Sequence, residues 1–295
     1  MTINKFDRGI GSRLFDAVNY ALMVLVVVVT LYPFYHIAIV SLSDGNAVLR
    51  GEVNLFPVGM TLSSYRLVLE DRLIGRSLLN SLLYTSVGTA INLTFTVLCA
   101  YPLARPYFSG RKALTWLVTA TMLFSGGLIP LYIVVLRLGI RNTLWAIVLP
   151  AAINPWNMFI MRTYFQGIPE EVYEAALMDG ANDFVTMVRI ILPLSKPIIA
   201  TLLLFYAVAL WNDWFSALIF LDDRNLYPIQ LVMRTIVILG SFEQTNVMGA
   251  AADFAVIEKT LKYATIMVST LPILVVYPFV QKYFVQGVMI GAIKG

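Results

Sequence analysis

A long run without Asp, Glu, Lys or Arg, YALMVLVVVVTLYPFYHIAIVSL at residues 20–42, constrains the fold of this chain more than any other feature. About 20 consecutive apolar residues are enough to cross a bilayer as a helix. The whole chain is 59% hydrophobic and only 13% charged, whereas soluble domains carry about 25% charged residues. We therefore predict an all-α, polytopic membrane protein in contact with the lipid bilayer.

The apolar runs predict six transmembrane helices. We expect residues 1–16 and 285–295 to be cytoplasmic flanking segments of a permease domain at 17–284, because the Lys and Arg distribution slightly favours this orientation. The predicted spans are about 17–42, 78–103, 114–136, 144–164, 197–221 and 262–284.

The scarcity of reactive side chains excludes several functions. Cys99 is the one cysteine and His36 the one histidine, so an intramolecular disulfide, a cysteine-rich metal site and most acid–base schemes are ruled out. Neither a G-x-S-x-G nor an H-E-x-x-H motif is present. A net charge of +4 gives no reason to expect a nucleic-acid partner. We expect a protein that is not an enzyme and holds no metal.

A charged segment, EEVYEAALMDGANDFVTMVRIILP at residues 170–193, interrupts the apolar chain. Pro169 suits the start of a helix, and Gly180 suits its left-handed C-terminal cap. Asn182 or Asp183 can cap a second helix that continues to Pro193. The pattern predicts a short helix, a glycine turn and a second helix that leads back into the membrane.

This segment has two interpretations. It can be a simple connection between two spans. Alternatively, the paired alanines at 175–176 let another surface approach closely, and the neighbouring Glu174 offers a charge to an Arg or Lys. The capping signals and the length of the segment favour a docking element for another protein.

The same residues match the EAA motif of binding-protein-dependent ABC importers, which reads Glu-Ala-Ala, three residues, Gly, nine residues, Ile-x-Leu-Pro. The resemblance implies that this EAA loop (about residues 165–196) is cytoplasmic and forms a coupling helix in a cleft of an ATPase subunit. The residues that carry the motif or lie within it are Glu174, Ala175, Ala176, Asp179, Gly180, Ile190, Leu192 and Pro193.

Most of the remaining chain resembles the MalG-like branch of carbohydrate-uptake permeases. The segments that carry this resemblance are TLSSYRLVL (61–69), NSLLYTSVGTAINLTFTVLCAYPLAR (80–105), LWNDWFSALIFL (210–221) and GVMIGAIKG (287–295). The resemblance implies a type I ABC importer permease fold in the bacterial cytoplasmic membrane. It also implies a second homologous permease subunit, usually a different chain, two ATP-binding subunits and an extracytoplasmic solute-binding protein.

On this resemblance, the chain forms half of a pathway for a sugar or oligosaccharide. No GxxxxGK[ST] loop is present, so we expect ATP and magnesium to bind the partner ATPase subunits and no cofactor to bind this chain. An importer for a non-sugar solute is an alternative. A secondary transporter driven by an ion gradient is a remote one, because it would need intramembrane ionisable groups and often has inverted repeats.

Polar residues inside the predicted spans are candidates for the substrate path. Asp213 lies well inside a span, between aromatic side chains that can stack on sugar rings. The resemblance favours the other interpretation, that the cluster packs the fifth helix, because the family shares the Trp-Asn pattern across differing substrates. An acidic substrate would want Arg or Lys, for which Arg137 and Arg141 near the outer mouth are the nearest option. The path candidates are Trp211, Asn212, Asp213, Asn157 and Tyr84.

Overall fold

The computed structural model describes residues 10–239, 259–276 and 278, and its regular elements in these residues are all helices. A π turn lies at Met187–Ile191 and a 3₁₀ turn at Arg224–Leu226. The α-helices are α1 (Ile10–Ser41), α2 (Gly45–Leu49), α3 (Ser63–Glu70), α4 (Arg72–Ala104), α5 (Arg111–Leu123), α6 (Leu128–Arg137), α7 (Leu144–Val148), α8 (Pro155–Gln166), α9 (Glu170–Met178), α10 (Asp183–Thr186), α11 (Leu192–Leu194), α12 (Lys196–Trp211), α13 (Phe215–Phe220), α14 (Ile229–Leu239) and α15 (Lys259–Val276).

Only some of the predicted spans are single helices. In the described residues, α1, α4 and α15 are long and apolar enough to cross a membrane, and two bent helix pairs raise the number to as many as five by length and composition. The predicted third span is α5 and α6, which meet at a bend of 117°. The predicted fourth span is interrupted at residues 149–154, between α7 and α8. The predicted terminal segments lie largely outside the described residues.

The described chain divides into two compact units, of which the first contains residues 10–70 and 259–268. Its core joins Ile39 and Val40 at the end of α1 to Ala47 and Val53. Helix α3 is amphipathic and buries Val68 completely. Most side chains earlier in α1 are apolar and exposed, as expected for a helix that faces lipid.

The second unit, residues 71–239 with 269–276 and 278, is built around α4. Helices α8 and α12 pack along α4, and Gly88 allows the close approach of α12 and of Val148 in α7. A Cβ atom at Gly88 would lie 2.7 Å from Leu210 Cδ1 and 3.3 Å from Val148 Cγ2. Small residues at helix crossings are the usual means of close packing in membranes.

Hydrogen bonds between side chains also join these helices. The Tyr206 hydroxyl lies 2.6 Å from Thr96 Oγ1 and accepts a 3.3 Å hydrogen bond from the backbone N–H of Asn154. Tyr206 is 3% exposed. Its hydroxyl therefore finds its hydrogen-bond partners within the protein, since lipid hydrocarbon could not provide them. The contact holds the start of α8 against α4 and α12.

The connection after α13 is fastened to the first half of α4. Asn80 Nδ2 donates to the carbonyl oxygens of Asn225 at 2.7 Å and Tyr227 at 3.1 Å, and Ser81 Oγ accepts the Ile229 N–H at 2.8 Å. Helix α14 then packs on α4 and α13.

We predict that Gly88→Val destabilises the protein more than Gly75→Val does. Both glycines lie in α4, so the change in helix propensity is the same for both. A Cβ at Gly75 meets no atom within 4 Å, whereas a Cβ at Gly88 meets a packed neighbour. Overpacking of this kind typically costs about 1–3 kcal/mol. Thermal unfolding in detergent measures the difference, and equal melting temperatures for the two variants would contradict it.

Candidate functional site

Helix α9 of the EAA loop has one buried face and one exposed face. Tyr173 is 4% exposed and Ala176 is 2% exposed, and the Tyr173 hydroxyl donates to the Phe165 carbonyl oxygen at 3.4 Å. The exposed residues of the helix are Glu170, Glu171, Glu174, Ala175, Leu177 and Met178. The helix therefore presents three carboxylates and two large apolar side chains outward, while it is attached through Tyr173 and Ala176.

The turn after α9 has the geometry that the sequence predicts. Gly180 has φ +79°, and Asp179 precedes it as the C-cap. The Gly180 N–H donates to the Leu177 carbonyl oxygen and the Ala181 N–H donates to the Ala176 carbonyl oxygen, both at 3.0 Å. This pair of bonds is a Schellman motif, which ends a helix by satisfying its last carbonyls.

Asn182 begins the second helix of the loop, since its Oδ1 accepts the Val185 N–H at 2.9 Å. After α10, the helix widens into the π turn before Pro193. Proline has no N–H to donate to the carbonyl four residues earlier, and its ring crowds that carbonyl, which accounts for a local change of helix type here. Ile190 and Leu192 pack half-buried against the core, whereas Pro193 is exposed.

An arginine at the end of α4 anchors α9. Arg105, the C-cap of α4, is 3% exposed, and its guanidinium carbon lies 3.0 Å from the centroid of the Tyr173 ring and 5.1 Å from that of Tyr101. Burial lowers the pKa of Arg105 from its usual value. Its Nε and Nη2 atoms have no hydrogen-bond partner among the described residues, so the two rings are the principal support for the buried cation.

Two further contacts join this region. Arg162 Nε of α8 donates to the Leu103 carbonyl oxygen at 2.9 Å, and the Tyr107 hydroxyl donates to Asp183 Oδ1 at 2.7 Å. Burial and this hydrogen bond raise the pKa of Tyr107, so the hydroxyl stays protonated and keeps its role as donor. Both halves of the EAA loop are therefore attached to the connection between α4 and α5.

A cavity of about 270 Å³ lies between this connection and α10. Its walls are mainly aromatic and aliphatic, with one basic and one acidic side chain. The lining residues are Leu98, Tyr101, Pro102, Arg105, Tyr107, Phe108, Asp183, Phe184 and Met187.

Three of the predicted spans are interrupted inside their length. Residues 124–127, 149–154 and 212–214 are not helical, and most of them are exposed in this chain. Within a bilayer, non-helical backbone is tolerated only where protein covers it or where it lines a water-filled cavity. These breaks are therefore the places to look for a polar passage.

Three of the five predicted path residues lie at the break between α12 and α13. Asn212 and Asp213 are within the break, and Trp211 directly precedes it. Asn212 is exposed, and its Nδ2 donates to the Val208 carbonyl oxygen at 2.8 Å. Asp213 is half-buried, and its Oδ1 accepts the Ser216 N–H at 3.0 Å. Trp211, the last residue of α12, is 4% exposed, and its Nε1 has no hydrogen-bond partner in the described part of the chain.

The other two predicted path residues lie inside the bundle. Tyr84 is 3% exposed, and its hydroxyl donates to the Leu226 carbonyl oxygen at 2.7 Å. Asn157 is 7% exposed, and its backbone N–H donates to Asn154 Oδ1 at 3.1 Å. In this chain, Asn212 and Asp213 are thus the most accessible of the five.

Two arginines that lie over aromatic rings in the structure do not stand out in the sequence. In the sequence, Arg105 is only the last residue of the segment 80–105 that resembles the permease family. Its spacing from Tyr101 by one helical turn is a signal that could have identified it. Arg234 in α14 has no such signal, and its guanidinium carbon lies 4.5 Å from the centroid of the Trp214 ring. Arg141, an option for an acidic substrate, forms an ion pair with Asp222 at 2.6 Å.

Comparison with known proteins agrees with this arrangement. The family described as "Binding-protein-dependent transport system inner membrane component" matches residues 9–290. Protein LplC of Bacillus subtilis is 44% identical, with 97% of this chain and 96% of that protein covered. The polygalacturonan/rhamnogalacturonan transport system permease protein YtcP of the same organism is 40% identical over 96% of this chain and 99% of its own length.

A solved structure is similar over nearly the whole fold. A chain of a bacterial ABC transporter involved in the import of the acidic polysaccharide alginate aligns with a TM-score of 0.86 and 34% identity, covering 94% of this chain and 98% of that one. The overall arrangement of helices therefore belongs to a known architecture, and the chain is a member of the family of inner-membrane components of binding-protein-dependent transport systems.

Proposed function

We propose that this chain is the transmembrane permease subunit of an ABC importer for a sugar or oligosaccharide. Family membership supports the transport role, and the carbohydrate cargo rests on the names of similar proteins. These include the YtcP permease and the alginate importer, together with a diacetylchitobiose uptake permease of Streptomyces coelicolor, 27% identical over 96% of this chain. A non-sugar solute is the alternative cargo.

The proposed assembly contains this chain, a second homologous permease, two ATP-binding subunits and an extracytoplasmic solute-binding protein. ATP and magnesium bind the ATPase subunits. Six spans at 17–284 cross the bacterial cytoplasmic membrane, and both termini and the EAA loop lie on the cytoplasmic side. The interrupted helices support the pathway part of this proposal, since Asn212 and Asp213 lie on an accessible break, with Trp211, Asn157 and Tyr84 as the further candidates.

The observation that carries the coupling mechanism is the two-faced character of α9. Tyr173 and Ala176 attach the helix to the bundle, while Glu174, Leu177 and Met178 face outward. A surface of this kind suits a cleft on a partner ATPase. Because the attachment is made through a buried cation and aromatic rings, a push on the exposed face is transmitted to α4 and α8. The remaining motif residues, Ala175, Asp179, Ile190, Leu192 and Pro193, shape the loop.

We predict that Glu174→Lys weakens the association with the ATPase subunits and lowers uptake by about tenfold or more, because a buried interfacial charge pair would become a like-charge contact. The chain is tagged, isolated in mild detergent with its partners, and the bound ATPase is quantified. Glu52→Lys on the loop before α3 is the matched control, since Glu52 is exposed and outside the EAA loop. Equal ATPase recovery from the two variants would contradict the role of Glu174.

We predict that Gly180→Val uncouples ATP hydrolysis from transport, whereas Gly180→Asn retains much of the coupling. The site has φ +79°, and a Cβ atom added there would meet no atom within 4 Å, so backbone strain is the main obstacle. Left-handed backbone costs about 1–2 kcal/mol for most residues and is tolerated best by Asn. Transport per ATP hydrolysed is measured in proteoliposomes, and equal values for Val and Asn would show that the turn geometry is unimportant.

A further inference from the structure

Helix α14 carries one charged side chain in an otherwise uncharged sequence, IQLVMRTIVIL. That residue, Arg234, is half-buried, and its guanidinium carbon lies 4.5 Å from the ring centroid of Trp214. Helix α14 lies between the predicted spans 197–221 and 262–284 and packs on α4 and α13. A half-buried charge is costly unless it is paired, so the position of Arg234 requires a functional explanation or a partner of opposite charge.

The three aspartates at residues 213–223 have other partners. Asp213 Oδ1 accepts the Ser216 N–H, Asp222 pairs with Arg141, and Asp223 Oδ1 accepts two N–H groups of Asn225. Among the residues that the structure describes, Arg234 has no carboxylate partner. Its described partner is the face of an indole ring.

A cation–π contact fixes an arginine without using its hydrogen-bond donors. The planar guanidinium keeps its N–H groups in a fork that matches a carboxylate with two parallel hydrogen bonds. An arginine that rests on Trp214 is thus preorganised for a carboxylate that arrives from outside this chain. Arg141 is not free in this way, because Asp222 occupies its Nη2 at 2.6 Å.

The surroundings of this pair match a passage better than a lipid-facing surface. Trp214 ends the non-helical break at 212–214, and the exposed amide of Asn212 lies in the same break. Non-helical backbone and a polar amide are both unfavourable against hydrocarbon. The amide and the arginine together offer hydrogen-bond groups to hydroxyls and to a carboxylate, which are the polar groups of a uronic acid.

We propose that Arg234, held by Trp214, is a subsite of the translocation path for the carboxylate of a uronic-acid oligosaccharide. This inference rests on the proposed function and specifies its cargo as acidic. It adds a specificity-determining residue that acts by direct contact with the substrate as it passes.

The test uses the complete importer in proteoliposomes, with its own partner subunits and binding protein. Uptake of trigalacturonate and of the neutral maltotriose is measured together with ATPase activity stimulated by the binding protein. The variants are Arg234→Gln, Arg234→Lys and, as a control with the same loss of charge, Arg13→Gln at the exposed start of α1.

We expect Arg234→Gln to lower trigalacturonate uptake by about tenfold, the scale of one charge-assisted hydrogen bond, while stimulated ATPase activity is kept. Arg234→Lys should give intermediate uptake, and Arg13→Gln should behave as the unchanged protein. If uptake and ATPase activity fall together in Arg234→Gln and Arg234→Lys, the residue is structural and the proposal is wrong. Unchanged uptake in Arg234→Gln would also overturn it.

Uptake of the two saccharides by the importer without substitutions distinguishes a failure of this inference from a failure of the proposed function. Uptake of maltotriose without uptake of trigalacturonate would leave a sugar importer and overturn the acidic subsite. Transport of neither saccharide would overturn both the proposed cargo and the subsite.

Discussion

The attachment of the EAA loop depends on one buried cation. Arg105 ends α4, and the ring of Tyr173 in α9 covers its guanidinium at 3.0 Å. A buried, unpaired charge is strongly unfavourable, whereas a desolvated cation over an aromatic face contributes about 2 kcal/mol of stabilisation. Tyr101, one turn earlier in α4, provides a second ring. Displacement of α9 would break this cation–π contact, so the helix and the end of α4 should move together.

A second constraint determines where a passage can form. The backbone of a membrane protein must satisfy its own hydrogen bonds, and the breaks at 124–127, 149–154 and 212–214 violate this rule unless protein or water covers them. Tyr206 covers part of the middle break, since its hydroxyl accepts the Asn154 N–H. The exposed parts of the breaks require cover by a partner subunit or by water, which agrees with the proposed pathway between two permease chains.

Local signals in the sequence were sufficient to predict the EAA loop. Gly180 and Asn182 act through their own backbone and their near neighbours, so their spacing alone predicts a helix, a turn and a second helix. The apolar runs likewise predict α1 and α4, although α4 begins at Arg72 and not near residue 78. Periodicity and composition depend on neighbours in the chain, and these elements follow from them.

Contacts between distant segments were not predictable in the same way. Arg105 and Tyr173 are far apart in sequence, and composition gives no reason to pair them. Tyr84, Asn157 and Trp211 were predicted as path residues because they are polar or aromatic residues in predicted spans. Residue type does not show which side of a helix faces the bundle, and all three side chains are buried in this chain. The break at 149–154 had a local signal in Pro150 and Pro155, which the long apolar run obscured.

The most direct test of this rigid attachment is the distance between α9 and the connection after α4 in the working importer. Spin labels at Ser109→Cys and Met178→Cys, in a chain whose one native cysteine is replaced by Cys99→Ser, report it by pulsed electron paramagnetic resonance. We predict the same mean distance without nucleotide and with ATP bound, and a broader distribution in Arg105→Ala. A shift of the mean distance on ATP binding would show that α9 moves independently of α4, which would contradict the attachment through Arg105.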